Sequence, residues 1–253
     1  MRGRSPLIEP PWQGFIAAQW PAPERVRAGF TTRLGGVSEG PYASLNLGDH
    51  VGDEPARVAE NRRRLVAEAG LPGAPQWLTQ VHGTRVVQAP LSDVPEADAV
   101  WTEQRRVVCA VLTADCLPVL MCSDDGERVA AAHAGWRGLV GGVLEATVAA
   151  LGVPGERLLV WLGPAIGPRR FEVGPEVRAV FLAQDPEAEV CFQAHRGDRW
   201  LADLYQLARR RLAAVGVRRC FGGDFCTVED AQRFYSYRRD GVSGRMASVI
   251  WRE

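Results

Sequence analysis

Cys116 and His133 are the side chains whose chemistry stands out, and a hairpin pattern brings them together. Residues 117–122 form an apolar run, Asp125-Gly126 is a strong two-residue turn signal, and residues 129–132 form a second run of small apolar side chains. Antiparallel pairing about that turn sets Cys116 nearly opposite His133. A thiolate and an imidazole so placed are either part of a soft metal site or a nucleophile with its base. With a third ligand from elsewhere the set becomes Cys-His-His with one open tetrahedral position, the pattern of a catalytic zinc site rather than a structural one. An ion held this way lowers the pKa of bound water from about 15.7 to about 7. Thiolate ligation also suits copper, and in the metal-free alternative Cys116 attacks a carbonyl directly. Local residues leave these readings open.

The surroundings sharpen the pair. Asp115 precedes Cys116 and Pro118 follows it, so the apolar run breaks at the thiol. After His133 the chain passes through Ala134-Gly135-Trp136-Arg137-Gly138 into a helical pattern. A helix N-terminus with unpaired N–H groups and Arg137 beside it is an expected anion site. Arg33 in TTRLGG and Asn46 in SLNLG sit in glycine-flanked turns, where a ligand can approach the backbone closely. His82 reads locally as a solvated or capping turn residue, while His50 and His195 fall in polar loops. Cys109 and Cys122 lie inside apolar runs and read as small buried hydrophobes. Cys191, Cys220 and Cys226 are isolated, and the last two are not spaced as a structural zinc pair. Tyr235, Tyr237, Arg238, Arg239 and Arg245 edge either a pocket or an ordinary cross-strand ladder.

Strands and helices must carry these residues. Residues 29–36 read as a strand end running into a glycine turn, and Asp53-Glu54-Pro55 as a helix opening with Asp53 as cap. Val58, Leu65, Val66 and Ala69 continue that helix, which Gly70 closes. Residues 77–88 read as two strand pieces about a turn at His82-Gly83, and residues 98–102 and 106–113 as buried strands. One helix is expected to run from Leu139 to Gly152, a strand over 157–162, and helices over 175–182 and 202–215. Residues 234–251 read as a strand, an Asp240-Gly241 turn and a last strand with Ala247, Val249 and Trp251 on one face. Residues 1–28 form an N-terminal extension, partly irregular and proline-bearing, expected to lie across the surface. Residues 29–253 form a single domain mixing helices and strands.

Composition narrows the function. The 253 residues suffice for a substantial core, and 30 basic residues balance 30 acidic ones, which argues against wholesale binding of nucleic acid or an anionic membrane. Every basic residue is arginine, so no lysine is at hand for a Schiff base or a P-loop. Six irregularly spaced cysteines do not resemble a disulfide framework. The first twenty residues lack a signal-peptide core, and the most apolar window, 107–122, is broken by Thr113, Asp115 and Pro118. A cytoplasmic protein is expected.

Taken together, GFTTRLGGVSEGPYASLNLGDHVGD, QVHGTRVV, DAVWT, TADCLPVLM, AAHAGWRGLVGGVL, GPAIGPRRFEVGPEV, DLYQLARRRL and FYSYRRDGVSGRMA run in order over residues 29–247. This series resembles the YfiH/laccase-domain family, formerly described as polyphenol oxidases, which includes purine nucleoside phosphorylases. The resemblance implies a zinc site at His82, Cys116 and His133, and so makes His82 a ligand. It implies a layered α+β sandwich with mixed sheets, related to the catalytic domain of a deamidating bacterial toxin. The implied activities are phosphate-dependent cleavage of adenosine, inosine and methylthioadenosine, with deamination of adenosine. Purine nucleosides and phosphate are thus the expected partners of a monomer or homodimer, with Arg33, Asn46 and Arg137 as substrate contacts. Two alternatives stand beside this: a Cys-His amidase that edits peptidoglycan precursors, and, less favoured, a copper oxidase of phenols.

Overall fold

The strand Leu117–Ser123, buried along its whole length, shows how the layers stack. Side chains alternate across a strand, so its two faces serve two different cores. Val119 and Met121 join Leu139, Leu144, Leu151, Leu207 and Leu212, all from helices. Leu120 and Cys122 join Phe30, Val111 and Ile250 from a second sheet. A strand covered on both sides must be apolar throughout, which is why this one reads as a continuous run. Each fully buried leucine in it contributes about 1.5–3 kcal/mol of transfer free energy.

The computed structural model describes residues 12–253. Its six-stranded sheet has the order Arg219–Gly222, Leu158–Leu162, Leu117–Ser123, Val129–Ala134, Ala99–Thr102, Val86–Gln88. The five-stranded sheet has the order Phe15–Ala17, Val26–Thr31, Met246–Arg252, Val108–Thr113, Pro75–Gln76. Each large sheet is mixed, with parallel pairs at its edges. On the outer face of the five-stranded sheet, Ala247, Val249 and Trp251 pack with Leu65 of helix Pro55–Glu68. Helix, sheet, sheet and helices therefore form a layered α/β sandwich, the class expected from the sequence. A small antiparallel sheet of Glu172–Val173, Trp200–Ala202 and Phe192–Ala194 sits beside it. No helix among the described residues is long and apolar enough to cross a membrane.

Several local expectations are corrected. Phe15–Ala17 pairs with Val26–Thr31, so part of the N-terminal stretch is an edge strand rather than a surface wrap. Asp53 does not cap its helix: one carboxylate oxygen accepts from the Ser38 hydroxyl at 2.6 Å and from Asn46 Nδ2 at 2.9 Å. Of the two strand pieces expected within 77–88 only Val86–Gln88 forms; the strand before it is Pro75–Gln76, which belongs to the other large sheet. The helix after His133 is split into Trp136–Gly141 and Val143–Leu151 at Gly142, whose φ of 101° only glycine adopts readily. No terminal hairpin forms either. Ser236 accepts a hydrogen bond from the Arg239 amide and caps the short helix Tyr237–Asp240, which Gly241 stops at φ 71°.

Candidate metal centre

Cys116, His133 and His82 reach one end of the six-stranded sheet by three routes. Cys116 immediately precedes the strand Leu117–Ser123, and His133 lies near the end of its antiparallel neighbour Val129–Ala134. The register pairs Pro118 with His133, which leaves Cys116 just beyond the ladder. His82 comes from the loop that crosses from one sheet to the other, in a left-handed conformation with φ 60°. Asp115, directly before Cys116 in the chain, also has a positive φ, of 93°. Such backbones are unusual for residues with a Cβ and here sit on either side of the thiol.

One buried carboxylate organises the cluster. Asp98, fully buried at the start of Ala99–Thr102, accepts from the amides of His82 at 2.9 Å and Gly83 at 2.7 Å. Val81 adds a longer bond at 3.2 Å, and His133 Nδ1 lies 2.8 Å from the same group. Asp98 thus fixes the His82 loop and the His133 ring together. With Nδ1 given to Asp98, Nε2 is the His133 nitrogen left to face the other two donors, the arrangement that orients metal-ligating histidines. Burial works against the charge on Asp98, yet His133 and the Gly83 and Val81 amides hold its carboxyl below the ordinary range. Sequence reading placed residue 98 only at the start of a strand. The one available signal was an acid leading directly into the apolar run Ala99-Val100-Trp101.

The donor set fits a single ion. One atom from each of His82, Cys116 and His133 lies within 4.8 Å of the others, and Cys116 Sγ is 3.8 Å from His82 Nε2. Zinc bonds of about 2.0–2.3 Å in a tetrahedron put ligand atoms about 3.3–3.8 Å apart, so a small contraction completes the grip. Burial pushes the Cys116 thiol up, but His133 and His82 outweigh it and bring it down to about 6. Burial likewise lowers His133, while the Cys116 sulfur and Asp98 raise it to about 9. By contrast, burial pushes the Cys122 thiol up to about 12, as suits an inert core cysteine.

Two cavities meet at the cluster. The larger, of about 430 Å³, is lined by Leu78, Leu112, Ala114, His50, Tyr237 and Arg245 as well as the three donors. The smaller, of about 290 Å³, is lined by Trp136, Arg137, Phe171, Asp115 and Arg238 along with His82 and Cys116. Arg137 thus shares a cavity with two of the donors, His82 and Cys116. Its helix is a single short turn-and-a-half of six residues rather than the long one anticipated. Arg33 lines neither cavity: its guanidinium donates to the carbonyls of Ala43 and Ala231 and lies over the Tyr235 ring. Asn46, fully buried, donates to Gly48 O and Asp53 and accepts from the Gly48 and Arg245 amides. It shapes the loop under Arg245. His50 walls the larger cavity, while His195 pairs with Glu172 away from the donors.

Close packing of backbone against the donors explains the glycine of HAGWRG. A Cβ on Gly135 would lie 2.9 Å from His82 Cδ2 and 3.0 Å from Cys116 Sγ. Gly135→Ala is expected to displace His82 and to weaken metal binding by about tenfold or more, with a cost of about 1–3 kcal/mol in overpacking. Competition with a chromophoric chelator measures the first and thermal unfolding the second. Wild-type affinity in this variant would mean that the loop yields freely.

Asp115 ties the cluster to the C-terminal part of the chain. Its Oδ1 accepts from the Thr227 hydroxyl at 2.5 Å, its Oδ2 from the Arg238 amide at 2.7 Å, and its carbonyl from the Ile166 amide at 2.9 Å.

Residues 27–253 match the family model described as multi-copper polyphenol oxidoreductase laccase. A purine nucleoside phosphorylase of Pseudomonas aeruginosa is 59% identical over 239 residues, covering 94% of this chain and 98% of that protein. The purine nucleoside phosphorylase YfiH of Escherichia coli K12 is 57% identical over 241 residues, with 94% and 98% covered. Among solved structures, a Neisseria meningitidis protein superposes with a TM-score of 0.92 at 51% identity, covering 95% of this chain and 99% of that one. YlmD from Geobacillus stearothermophilus superposes at 0.90 with 32% identity, covering 95% and 96%.

Proposed function

The chain belongs to the family described as multi-copper polyphenol oxidoreductase laccases, and from that footing we propose that it is a cytoplasmic, zinc-dependent purine nucleoside phosphorylase. Adenosine, inosine and methylthioadenosine are its substrates, and it also deaminates adenosine to inosine. The observation that carries the reading is the convergence of His82, Cys116 and His133 where two cavities meet. Bound there, a zinc ion would supply Lewis acidity at an open position, which suits addition of water at C6 of an adenine. The chain's own residues do the rest. Asp98 holds the donors in register, the apolar walls of Leu78 and Leu112 exclude water, and Tyr237 offers a ring beside both cavities. Among the described residues the three donors make one cluster, which suits a single ion better than the several coppers of phenol oxidation.

The rival is a cysteine hydrolase editing peptidoglycan precursors, and the lowered Cys116 thiol beside His133 is what favours it. A nucleophilic pair needs one histidine, however, whereas Asp98 holds two against the sulfur. Chromatography of inosine and adenosine with zinc-loaded protein tests the main reading. Free base is expected only when phosphate is present, and inosine is expected from adenosine without it. If neither product forms, the proposal fails. Iodoacetamide separates the rival: at pH 7 Cys116 is expected to resist alkylation until a chelator is added, and then to react quickly as a thiolate. Immediate alkylation of the zinc-loaded protein would support the hydrolase.

A further inference from the structure

We propose that the two cavities divide the co-substrates, with inorganic phosphate held between Arg137 and Arg238 in the smaller and the nucleoside seated in the larger. The inference rests on the phosphorolysis reading and assigns its anion. Arg137 and Arg238 come from two short helices far apart in the chain, Trp136–Gly141 and Tyr237–Asp240, and both line the cavity that His82 and Cys116 also line. Many other arginines take carboxylates, as Arg210 does Asp185 and Glu187 and Arg157 does Asp124 and Asp125, or are spent on backbone carbonyls, as Arg33 and Arg209 are. Among the described residues no carboxylate lies within ion-pair distance of Arg137 or Arg238. Their guanidinium carbons instead sit 4.3 Å from the Trp136 ring centre and 5.5 Å from that of Phe171. Stacking fixes each guanidinium plane; Arg238 gives Nη1 to the Glu172 carbonyl at 2.9 Å, which further fixes it and leaves its Nε and Nη2 edge, with the Arg137 fork, to a phosphate.

Other charges of the two cavities fit this division. Asp115 is the carboxylate of the smaller cavity, and both its oxygens are already bonded, to Thr227 and to the Arg238 amide. The guanidinium of the larger cavity, Arg245, gives Nη1 to two carbonyls of its own segment, Ser243 at 2.9 Å and Gly244 at 3.1 Å, where Arg238 gives Nη1 to one, that of Glu172. The larger cavity also has the volume and the apolar walls that a purine needs. Because both cavities share His82, Cys116 and Tyr237, the two guests meet at the cluster. A phosphate oxygen there forms a bond to ribose C1′ as the C1′–N9 bond breaks. The electron pair leaves with the purine, and the proton of HPO₄²⁻ ends on the purine, giving free base and ribose 1-phosphate.

The test varies phosphate and inosine in turn with zinc-loaded protein, beside calorimetric titration of inorganic phosphate. Arg137→Met and Arg238→Met are each expected to raise the KM for phosphate by about tenfold or more, with the inosine KM within about twofold and zinc content unchanged. Arg238→Lys is expected to recover part of the loss, since it restores charge without the fork. Arg245→Met is expected to raise the KM for inosine instead. An unchanged phosphate KM in Arg238→Met, or a phosphate effect confined to Arg245→Met, overturns the assignment and leaves phosphorolysis standing. Should the wild type release no base, the phosphorolysis reading fails and calorimetry alone decides the anion site. Phosphate binding that is lost in Arg238→Met keeps it, and binding that is absent, or equal in both proteins, removes it.

Discussion

Cys116→Ala protein prepared with excess zinc is expected to carry less than about one-tenth of an ion per chain and to release no base from inosine. The variant removes the one thiolate among three donors, and loss of a direct ligand costs more than the 10- to 100-fold assigned to an outer partner. The fold should survive, because Cys116 lies outside the sheet ladder and alanine needs less room. Elemental analysis and the nucleoside assay on the same preparation decide the matter. Metal and turnover must disappear together while the unfolding transition stays cooperative. Turnover that persists without metal would remove the ion from the mechanism, and Cys116→Ser with full activity would do the same for the thiolate.

The second large effect is expected at a residue that touches no substrate. Asp98→Asn keeps the shape of the side chain but turns one of two acceptors into a donor. His133 Nδ1 and the amides of Val81, His82 and Gly83 all point at that group, so a donor–donor clash is unavoidable. Zinc affinity should fall about 10- to 100-fold, and stability of the metal-free protein by about 1–3 kcal/mol. The sign with pH is also set. The folded carboxyl lies below its ordinary value, so its contribution is present above the unfolded pKa near 4 and is lost as pH falls through the folded one. Below about pH 4 the wild type should therefore lose stability more steeply than Asp98→Asn. Equal affinity and equal pH profiles would show that the carboxylate is a bystander.

How much of this was legible in sequence depended on how local the cause was. The hairpin was, because Asp125-Gly126 between two apolar runs is a turn signal with its own backbone chemistry, and Gly126 does sit at φ 70°. The offset of Cys116 from the ladder was not, since it comes from the left-handed bend at Asp115, which is set by Thr227 and Arg238 over a hundred residues away. The Asp240-Gly241 pair misled for a related reason. The same two residues that close a hairpin also stop a helix, and Ser236, by capping, had already chosen the helix. His82 looked like any turn histidine on local grounds, and only its likeness to a known motif marked it. Asp98 was invisible because its role consists of four bonds to groups 15 to 35 residues distant. Gly142, which splits the helix after His133, reads in sequence as one small residue inside an apolar periodicity.

The Asp115 carboxylate links events that would otherwise be independent. Tyr237 walls both cavities, and the amide of the next residue, Arg238, is bonded to Asp115, the neighbour of Cys116. A guest that shoulders Tyr237 aside must either stretch that bond or drag Asp115 along. The Ile166 amide on the Asp115 carbonyl leaves the backbone little slack to absorb the pull. Cavity wall and thiol are geared to each other, so a change at one is carried to the other through a single carboxylate.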